Sequence, residues 1–454
     1  MSPSPNLPVT PQRVTIMLAG FCFLSVVIVN GLLWLLSPMG YQETALNHTF
    51  DMLRARSGDD SWGPMALALE YLAEPGPKPL YSALFFEGGI KFQYPPSALF
   101  TLVAMLLAGP DRVRISDDMT PAMWPAVNDL VGWGFILLMI GCCAALLEIM
   151  LKRNHGSEDW RQLRIPRIMI VAILTLTFYP FVKGFTLGQV QLWINTAFAA
   201  ALLLFALEWR IASGALVGLL SLLKPHYGLI ALWGMRNHEW RFATALLIAA
   251  AIGLAISIWT FGFANHLDYL SVVSFMSERG ESYYPNQSVN GLLNRFIGRS
   301  FPELYPNADY GTGGFPPYNG WVYWPALVAS AAILISALWR RSDDSQRPIS
   351  LCLMAVSVTI AAPIAWEHHY GLLLPIYAIA FPALAASRPR LLWLALSYLL
   401  VASFIAAARL LAPTALNFLQ SYMLFGSLIL LSLLHGLLPG RKAALGAQPQ
   451  SDVR

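Results

Sequence analysis

Two adjacent carboxylates, Asp59 and Asp60, stand in a polar stretch between two apolar segments of the chain. A carboxylate at the boundary between water and lipid can take a proton from a hydroxyl group that then acts as a nucleophile. The same pair could instead be solvated and only complement the dipole of a helix N-terminus. The sequence therefore predicts either a general base or a helix start here, and it leaves the choice between the two acids open.

Lysine in apolar surroundings is a second candidate for chemistry. Lys224 follows Leu222-Leu223 and precedes Pro225, with no acid beside it. A lysine at the centre of a bilayer costs roughly 2.5–3.5 kcal/mol on insertion scales, although snorkelling to a surface removes much of that cost. We therefore expect Lys224 to reach the outer face and meet an anionic group such as a phosphate. Lys183 is a weaker candidate of the same kind.

The polar cluster Trp366-Glu367-His368-His369 interrupts another apolar run. Neighbouring residues on a helical turn point in different directions, so the two histidines are not expected to share a metal ion. One of them could donate a hydrogen bond to a phosphate oxygen while the other holds the turn, or both could belong to a plain polar loop. Arg295 is a further candidate cation for the phosphate.

Neutral polar side chains near these groups suit the hydroxyl groups of a sugar or an acceptor. The candidates are Tyr94, Gln189, Gln191, Asn286, Gln287, Ser288 and Trp366. Tyr94-Pro95-Pro96 is also a rigid entry to a short helix, because each proline restricts the backbone around it. The sequence contains no Gly-rich phosphate loop and no zinc-protease or nucleophile-elbow motif, so neither nucleotide binding nor a metal ion nor another cofactor is expected.

The amino-acid composition indicates the class of fold that positions these candidate residues. The chain has 454 residues, of which 56% are hydrophobic and 12% are charged. Soluble domains carry about 25% charged residues, so the sequence predicts an all-α polytopic membrane protein. The net charge of +4 is too small to indicate nucleic-acid binding. Clear apolar runs cover 14–36, 124–151, 167–184, 189–207, 240–263, 321–339, 348–365, 370–386, 390–409 and 414–437.

Two further segments are ambiguous. Residues 95–109 are apolar but short, and Pro225 should break 211–235 into two half-helices with Lys224 at the apex. With them, we expect about 12 transmembrane or half-membrane helices in one domain over 1–440, followed by a cytoplasmic tail over 441–454.

The distribution of basic residues predicts the orientation. Connectors that carry Arg13, Arg236 and Arg388 should face the cytoplasm under the positive-inside rule. The long loops 37–94 and 265–320 then face outward, together with the candidate acids, amides and histidines. We therefore expect a multi-pass protein of the bacterial plasma membrane with its active site on the extracytoplasmic face.

The order and spacing of the short motifs resemble glycosyltransferase family 87. The matching motifs are Asp60, Pro79-Leu80-Tyr81, Tyr94-Pro95-Pro96, Gly188-Gln189, Lys224-Pro225, Asn286-Gln287-Ser288 with Gly291, and Pro363-x-x-Trp366-x-His368-His369. The chain departs from the family pattern at Pro64, where an aromatic residue is frequent, and at Gln191, where asparagine is frequent.

The resemblance implies a GT-C fold and an inverting transfer of a sugar, usually mannose, from a polyprenyl-phosphate donor to a lipid or glycan acceptor. It implies Asp60 as the general base. Lys224 with His368 or His369 would then stabilise the phosphate leaving group. The alternatives are a flippase or transporter for lipid-linked sugars, which should show an inverted repeat and polar residues at all depths, and an inactive scaffold. Oligomeric state, acceptor and linkage do not follow from the sequence.

Overall fold

The computed structural model describes residues 9–37, 44–108, 124–156, 159–300, 315–340 and 342–438. Helices dominate these residues, and no strand occurs among them. One isolated antiparallel bridge joins Asn286 to Trp366. The prediction of an all-α polytopic membrane protein is confirmed. The predicted tail 441–454 and parts of both outer loops lie outside the described residues.

The helices fall into two halves of the chain. The first half contains α1 (Pro11–Leu35, π-helical over Phe23–Asn30), α2 (Ala45–Leu53), α3 (Trp62–Ala73), α4 (Leu99–Ala108), α5 (Trp124–His155), α6 (Arg164–Leu176), α7 (Tyr179–Thr186), α8 (Gln191–Ala206) and α9 (Arg210–Ser221). The second half contains α10 (Ile230–Arg236), α11 (Trp240–Phe261), α12 (Phe263–Arg279), α13 (Val289–Ser300), α14 (Gly320–Trp339), α15 (Arg347–Ile360), α16 (Leu373–Leu384), α17 (Arg388–Ala402) and α18 (Tyr422–Leu437).

Five helices of the described chain are long and apolar enough to cross a membrane: α1, α5, α11, α14 and the helical run Asn417–Leu437 that includes α18. The pair α6 and α7, bent by 57°, adds a sixth if it counts as one span. The predicted number of about 12 spanning or half-spanning helices is not confirmed. Several predicted spans, including 189–207 and 348–365, correspond to helices of 16 and 14 residues.

The surface of α11 shows where lipid must cover the fold. Ile248, Ile252, Ile256 and Trp259 follow one another at steps of three or four residues, which places them on one helix face. Their exposed fractions range from 52% to 90%. Isoleucine and tryptophan on a continuous exposed face are stable only against an apolar solvent. This face of α11 therefore contacts the hydrocarbon of the bilayer.

Small residues hold α9 against the other face of α11. A Cβ atom at Gly214 would lie 2.1 Å from the carbonyl oxygen of Phe242, and one at Gly218 would lie 2.4 Å from that of Leu246. Glycines four residues apart allow this close backbone approach between membrane helices. The contact fixes α9, which ends at Ser221, just before the break that carries Lys224.

Breaks in the helices position the polar residues. As the sequence predicts, the chain is interrupted at Lys224, between α9 and a short 3₁₀ turn, Pro225–Leu229, that leads into α10. A second 3₁₀ turn, Glu367–Leu372, separates α15 from α16, and a third break follows α7 at Leu187. Irregular backbone at membrane depth is tolerated only where protein buries it or where it lines a cavity. The breaks therefore mark the region in which a site can form.

Candidate active site

A cavity of about 360 Å³ lies where these breaks meet. Six of the residues predicted from the sequence line it: Asp60, Tyr94, Gln189, Lys224, Trp366 and His369. They come from five separate segments of the chain, from the loop before α3 to the turn before α16. The structure therefore places the predicted acid Asp60 on the same cavity as Lys224 and His369.

The backbone of the Asp60 loop is fixed against the turn that follows α7. The amide of Gly58 donates to the carbonyl of Thr186 at 2.8 Å, and the amide of Asp60 donates to that of Leu187 at 3.0 Å. Gly188 has a φ of +68°, and a Cβ atom there would lie 1.8 Å from the carbonyl oxygen of Gly58. Only glycine allows both the left-handed backbone and this approach. The Gly188 motif therefore serves to hold Asp60 in place.

The carboxylate of Asp60 ends a chain of side-chain hydrogen bonds. Its Oδ2 accepts from Gln189 Nε2. The Oε1 of Gln189 accepts in turn from the hydroxyl of Ser61 at 2.7 Å and from that of Tyr94 at 3.0 Å. Desolvation by the surrounding protein raises the pKa of Asp60 above its ordinary value, and the hydrogen bond from Gln189 partly offsets this rise. A carboxylate with a raised pKa is a stronger base than a solvated one.

Asp59 occupies a different position. It does not line the cavity, and its carbonyl accepts from the amides of Trp62 and Gly63 at the start of α3. A Cβ atom at Gly63 would lie 3.5 Å from Asp59 Oδ2, so the carboxylate lies against the first turn of that helix. This is the helix-start role that the sequence left open. The placement favours Asp60 over Asp59 as the base, and the base itself remains a prediction.

The Pro79-Leu80-Tyr81 motif fixes the backbone of Tyr94. The hydroxyl of Tyr81 donates to the carbonyl of Tyr94 at 2.5 Å. The amides of Tyr81 and Ser82 donate to Asp268 Oδ2 at 2.7 and 2.8 Å, which docks this segment onto α12. The motif therefore positions the Tyr94 hydroxyl in the Asp60 network without reaching the cavity itself.

Lys224 and His369 form the basic part of the cavity lining. The Nζ of Lys224 lies 2.5 Å from Nε2 of His369 and 6.0 Å from the centroid of the Tyr94 ring. Among the described residues, no carboxylate forms an ion pair with Lys224. A lysine that meets an imidazole and an aromatic face can accept an anion without first breaking a salt bridge.

The other two predicted phosphate ligands, His368 and Arg295, lie outside the cavity lining. His368 is buried outside the cavity lining, where its carbonyl accepts from Asn195 Nδ2 at 3.0 Å. Arg295 is also buried, and its guanidinium donates to the carbonyl of Tyr283 and the hydroxyl of Ser421 at 3.1 and 2.6 Å. The structure places His369 on the cavity lining and His368 and Arg295 outside it, and a phosphate contact for each of the three remains a prediction.

The amide cluster Asn286-Gln287-Ser288 is likewise outside the cavity lining. Its side chains join two loops: Asn286 Oδ1 accepts from the amide of Ala365 at 3.0 Å, and Ser288 Oγ donates to the carbonyl of Pro363 at 2.8 Å. Gln287 Nε2 donates to the carbonyls of Tyr284 and Gln420. The prediction that they bind sugar hydroxyls has no support from this geometry, since the protein already engages their polar atoms.

Gln191 is also outside the cavity lining. It is fully buried, its Nε2 donates to Asn195 Oδ1 at 2.8 Å, and it does not line the cavity. The structure therefore places it in the packing of α8, away from the proposed sugar site.

Sequence reasoning missed several residues of the lining: Lys91, Gln93, His226 and Tyr269. Lys91 lies 3.6 Å from the buried carboxylate of Glu281, whose other oxygen accepts from the indole of Trp366 at 2.6 Å. A signal was available, because charged residues are rare in this chain and Lys91 stands three positions before Tyr94. Among the described residues, no group of three or more His, Cys, Asp or Glu is placed to hold a metal ion.

The fold and the cavity define an integral membrane protein with a carboxylate base candidate beside a lysine–histidine pair. The sequence model of glycosyltransferase family 87 matches residues 92–366, which is more than half of the chain. The chain therefore belongs to glycosyltransferase family 87, as its motifs predicted, and the protein is a glycosyltransferase.

A relative from Mycobacterium tuberculosis (strain CDC 1551 / Oshkosh) is 24% identical over 335 residues, covering 71% of each chain. It is described as a polyprenol-phosphate-mannose-dependent alpha-(1-2)-phosphatidylinositol pentamannoside mannosyltransferase. No solved structure matches.

Proposed function

We propose that this protein transfers a sugar, in the first instance mannose, from a polyprenyl-phosphate donor to a hydroxyl group of a lipid or glycan acceptor, with inversion at the anomeric carbon. The observation that carries the proposal is the single cavity lined by both Asp60 and the Lys224–His369 pair. A transfer from a sugar phosphate needs a base for the acceptor and a positive environment for the leaving group.

Asp60 removes the proton from the acceptor hydroxyl as its oxygen attacks the anomeric carbon. The bond between that carbon and the phosphate oxygen breaks, and the phosphate leaves with the electron pair. One displacement at one carbon inverts its configuration. Lys224 and His369 meet the negative charge that grows on the phosphate, and they do so in a setting of low dielectric where such contacts are strong.

Tyr94 and Trp366 bind the reacting sugar, while Gln189 orients the Asp60 carboxylate through its hydrogen bond. Tyr94, Gln189 and Trp366 all line the cavity. Hydroxyl and amide groups suit sugar hydroxyls, and aromatic rings pack against the apolar face of a hexose. The polyprenyl tail would lie among the membrane helices.

Support for the donor comes from the mycobacterial relative, whose description includes dependence on polyprenol-phosphate-mannose. Support for a site on the extracytoplasmic face of a bacterial plasma membrane comes from the basic residues of the opposite connectors.

The test uses the purified protein in nanodiscs with polyprenyl-phosphate-[¹⁴C]mannose and, as acceptors, the lipids and glycans extracted from a deletion strain. A labelled product that accumulates while the donor is consumed, with an inverted anomeric configuration by NMR, supports the proposal. Movement of labelled donor across the bilayer of proteoliposomes without any product would indicate a flippase and overturn it.

A further inference from the structure

A buried ion pair lies behind the cavity. Lys183 Nζ is 3.1 Å from Glu367 Oε2, and the exposed fractions of the two side chains are 8% and 0%. The hydroxyl of Tyr179 donates to the same carboxylate oxygen at 2.9 Å and accepts from Lys183 Nζ at 2.9 Å. The three groups thus form a closed triangle, and none of them lines the cavity.

Lys183 belongs to the segment that carries the acidic part of the site. It lies in α7, and its carbonyl accepts from the amide of Leu187 at 2.9 Å. The carbonyl of Leu187 in turn accepts from the amide of Asp60, and Gln189 follows two residues later. A shift of Lys183 would therefore be transmitted through one turn of backbone to the base.

Glu367 belongs to the segment that carries the basic part. It is the first residue of the Glu367–Leu372 turn, which presents His369 to Lys224. Its amide donates to the carbonyl of Pro285 at 3.0 Å, so the turn is also fixed to the loop before α13. The ion pair is thus a side-chain link, behind the cavity, between the Asp60 segment and the His369 segment.

We propose that Lys183 and Glu367 are positioning residues of the transfer reaction, which hold the base and the leaving-group histidine at a fixed separation across the cavity. This inference rests on the proposed function. A buried pair of this kind adds little net stability compared with apolar residues of similar size, whereas its geometry is directional and specific. The role of the ion pair in this fold is therefore to fix the relative position of the two segments that it joins.

The charge of Lys183 also lowers the pKa of Asp60. Other charged groups face Asp60 and the Lys183–Glu367 ion pair. The groups that face Asp60 are Asp59 on its own loop, Lys183 on α7 and Lys91 on the loop before Tyr94. The groups that face the ion pair are Tyr179, His48 on α2, His368 on the same turn and Arg295 on α13. Loss of the positive charge at Lys183 raises the pKa of Asp60 further, so Asp60 would stay protonated, and inactive as a base, up to a higher pH.

The experiment measures kcat, the KM for polyprenyl-phosphate-mannose and the pH dependence of kcat/KM for Lys183→Met and Lys183→Arg. Lys183→Met should lower kcat by about tenfold or more with little change in KM, because misplacement of catalytic groups by an ångström can cost about a hundredfold. Its acid limb should move to higher pH. Lys183→Arg keeps the charge, so its acid limb should stay at the wild-type position and much of the turnover should return.

The matched control is Lys78→Met, which makes the same substitution in an exposed ion pair with Glu87 outside the cavity. It should leave turnover and the acid limb unchanged. If Lys183→Met does not fold, the double variant Lys183→Met/Glu367→Gln removes both buried charges together. The proposal then requires a folded, monodisperse protein with reduced kcat and unchanged KM.

Wild-type kcat in a folded Lys183→Met or double variant, with an unmoved acid limb, would overturn the positioning role while leaving the proposed function intact. Failure of the wild-type protein to consume the donor would instead overturn the proposed function. The two failures are therefore distinguishable in the same set of assays.

Discussion

Replacing Asp60 with asparagine removes the base and little else. Asparagine has the shape of aspartate, and its Oδ1 can still accept from Gln189 Nε2, as the Asp60 carboxylate does. The backbone bond from residue 60 to Leu187 does not involve the side chain. The free energy of unfolding should therefore change by no more than about 1 kcal/mol, the scale of one hydrogen bond.

The loss of activity should be much larger than the loss of stability. General base catalysis contributes about 10²–10⁴ in rate, which corresponds to roughly 3–5 kcal/mol of activation free energy. We expect kcat for Asp60→Asn to fall by that factor while the KM for polyprenyl-phosphate-mannose stays near the wild-type value. The assay follows labelled product from the purified protein in nanodiscs, with thermal unfolding measured on the same sample.

Asp59→Asn is the matched control, because it makes the same change one residue away and outside the cavity lining. It should retain kcat within about twofold, since surface substitutions of this kind have small effects. Full turnover in Asp60→Asn together with loss in Asp59→Asn would move the base by one residue. Full turnover in both would refute the assignment of a carboxylate base to this loop.

Three further outcomes follow from the geometry. Lys224→Met should reduce turnover by about a hundredfold or more with the intact donor, the scale of losing one preorganised group that stabilises developing charge; wild-type activity would place the phosphate elsewhere. Gly188→Ala should lower both the unfolding temperature and kcat, since its Cβ would lie 1.8 Å from the carbonyl oxygen of Gly58, and an unchanged melting curve would contradict that contact. Glu74→Cys should react with an impermeant thiol reagent added outside intact spheroplasts, and Asp159→Cys should react only after permeabilisation. The four native cysteines are buried and should not react, and the reverse labelling pattern would invert the predicted orientation.

Local signals made part of the site predictable. Asp60, Tyr94 and Lys224 each stand where a short-range rule applies: an acid before a helix, a tyrosine before two prolines, and a lysine before a proline in apolar sequence. The helical class and the break at Lys224 follow from composition and proline chemistry. The structure places all three residues in one cavity.

Other assignments depended on contacts that a sequence does not display. Asparagine, glutamine and serine can bind a sugar or a backbone with the same atoms, and in Asn286-Gln287-Ser288 the backbone of distant loops engages them. The two adjacent histidines differ only in the direction in which the turn presents them. The partner of Lys183 lies 184 residues away along the chain, at Glu367. The number of membrane-spanning helices could not be predicted either, because several apolar runs form helices of intermediate length.

The pairing of the loops around Asn286 and Trp366 has a consequence for how the protein is made. Gln287 ties this pair of loops to the start of α18, because its Oε1 accepts from the amide of Met423 at 3.2 Å. This tie can form only after the ribosome has added α18, although the residues that line the cavity all precede it in the chain. The paired loops beside the cavity therefore gain their contact with α18 later in synthesis than their contacts with each other.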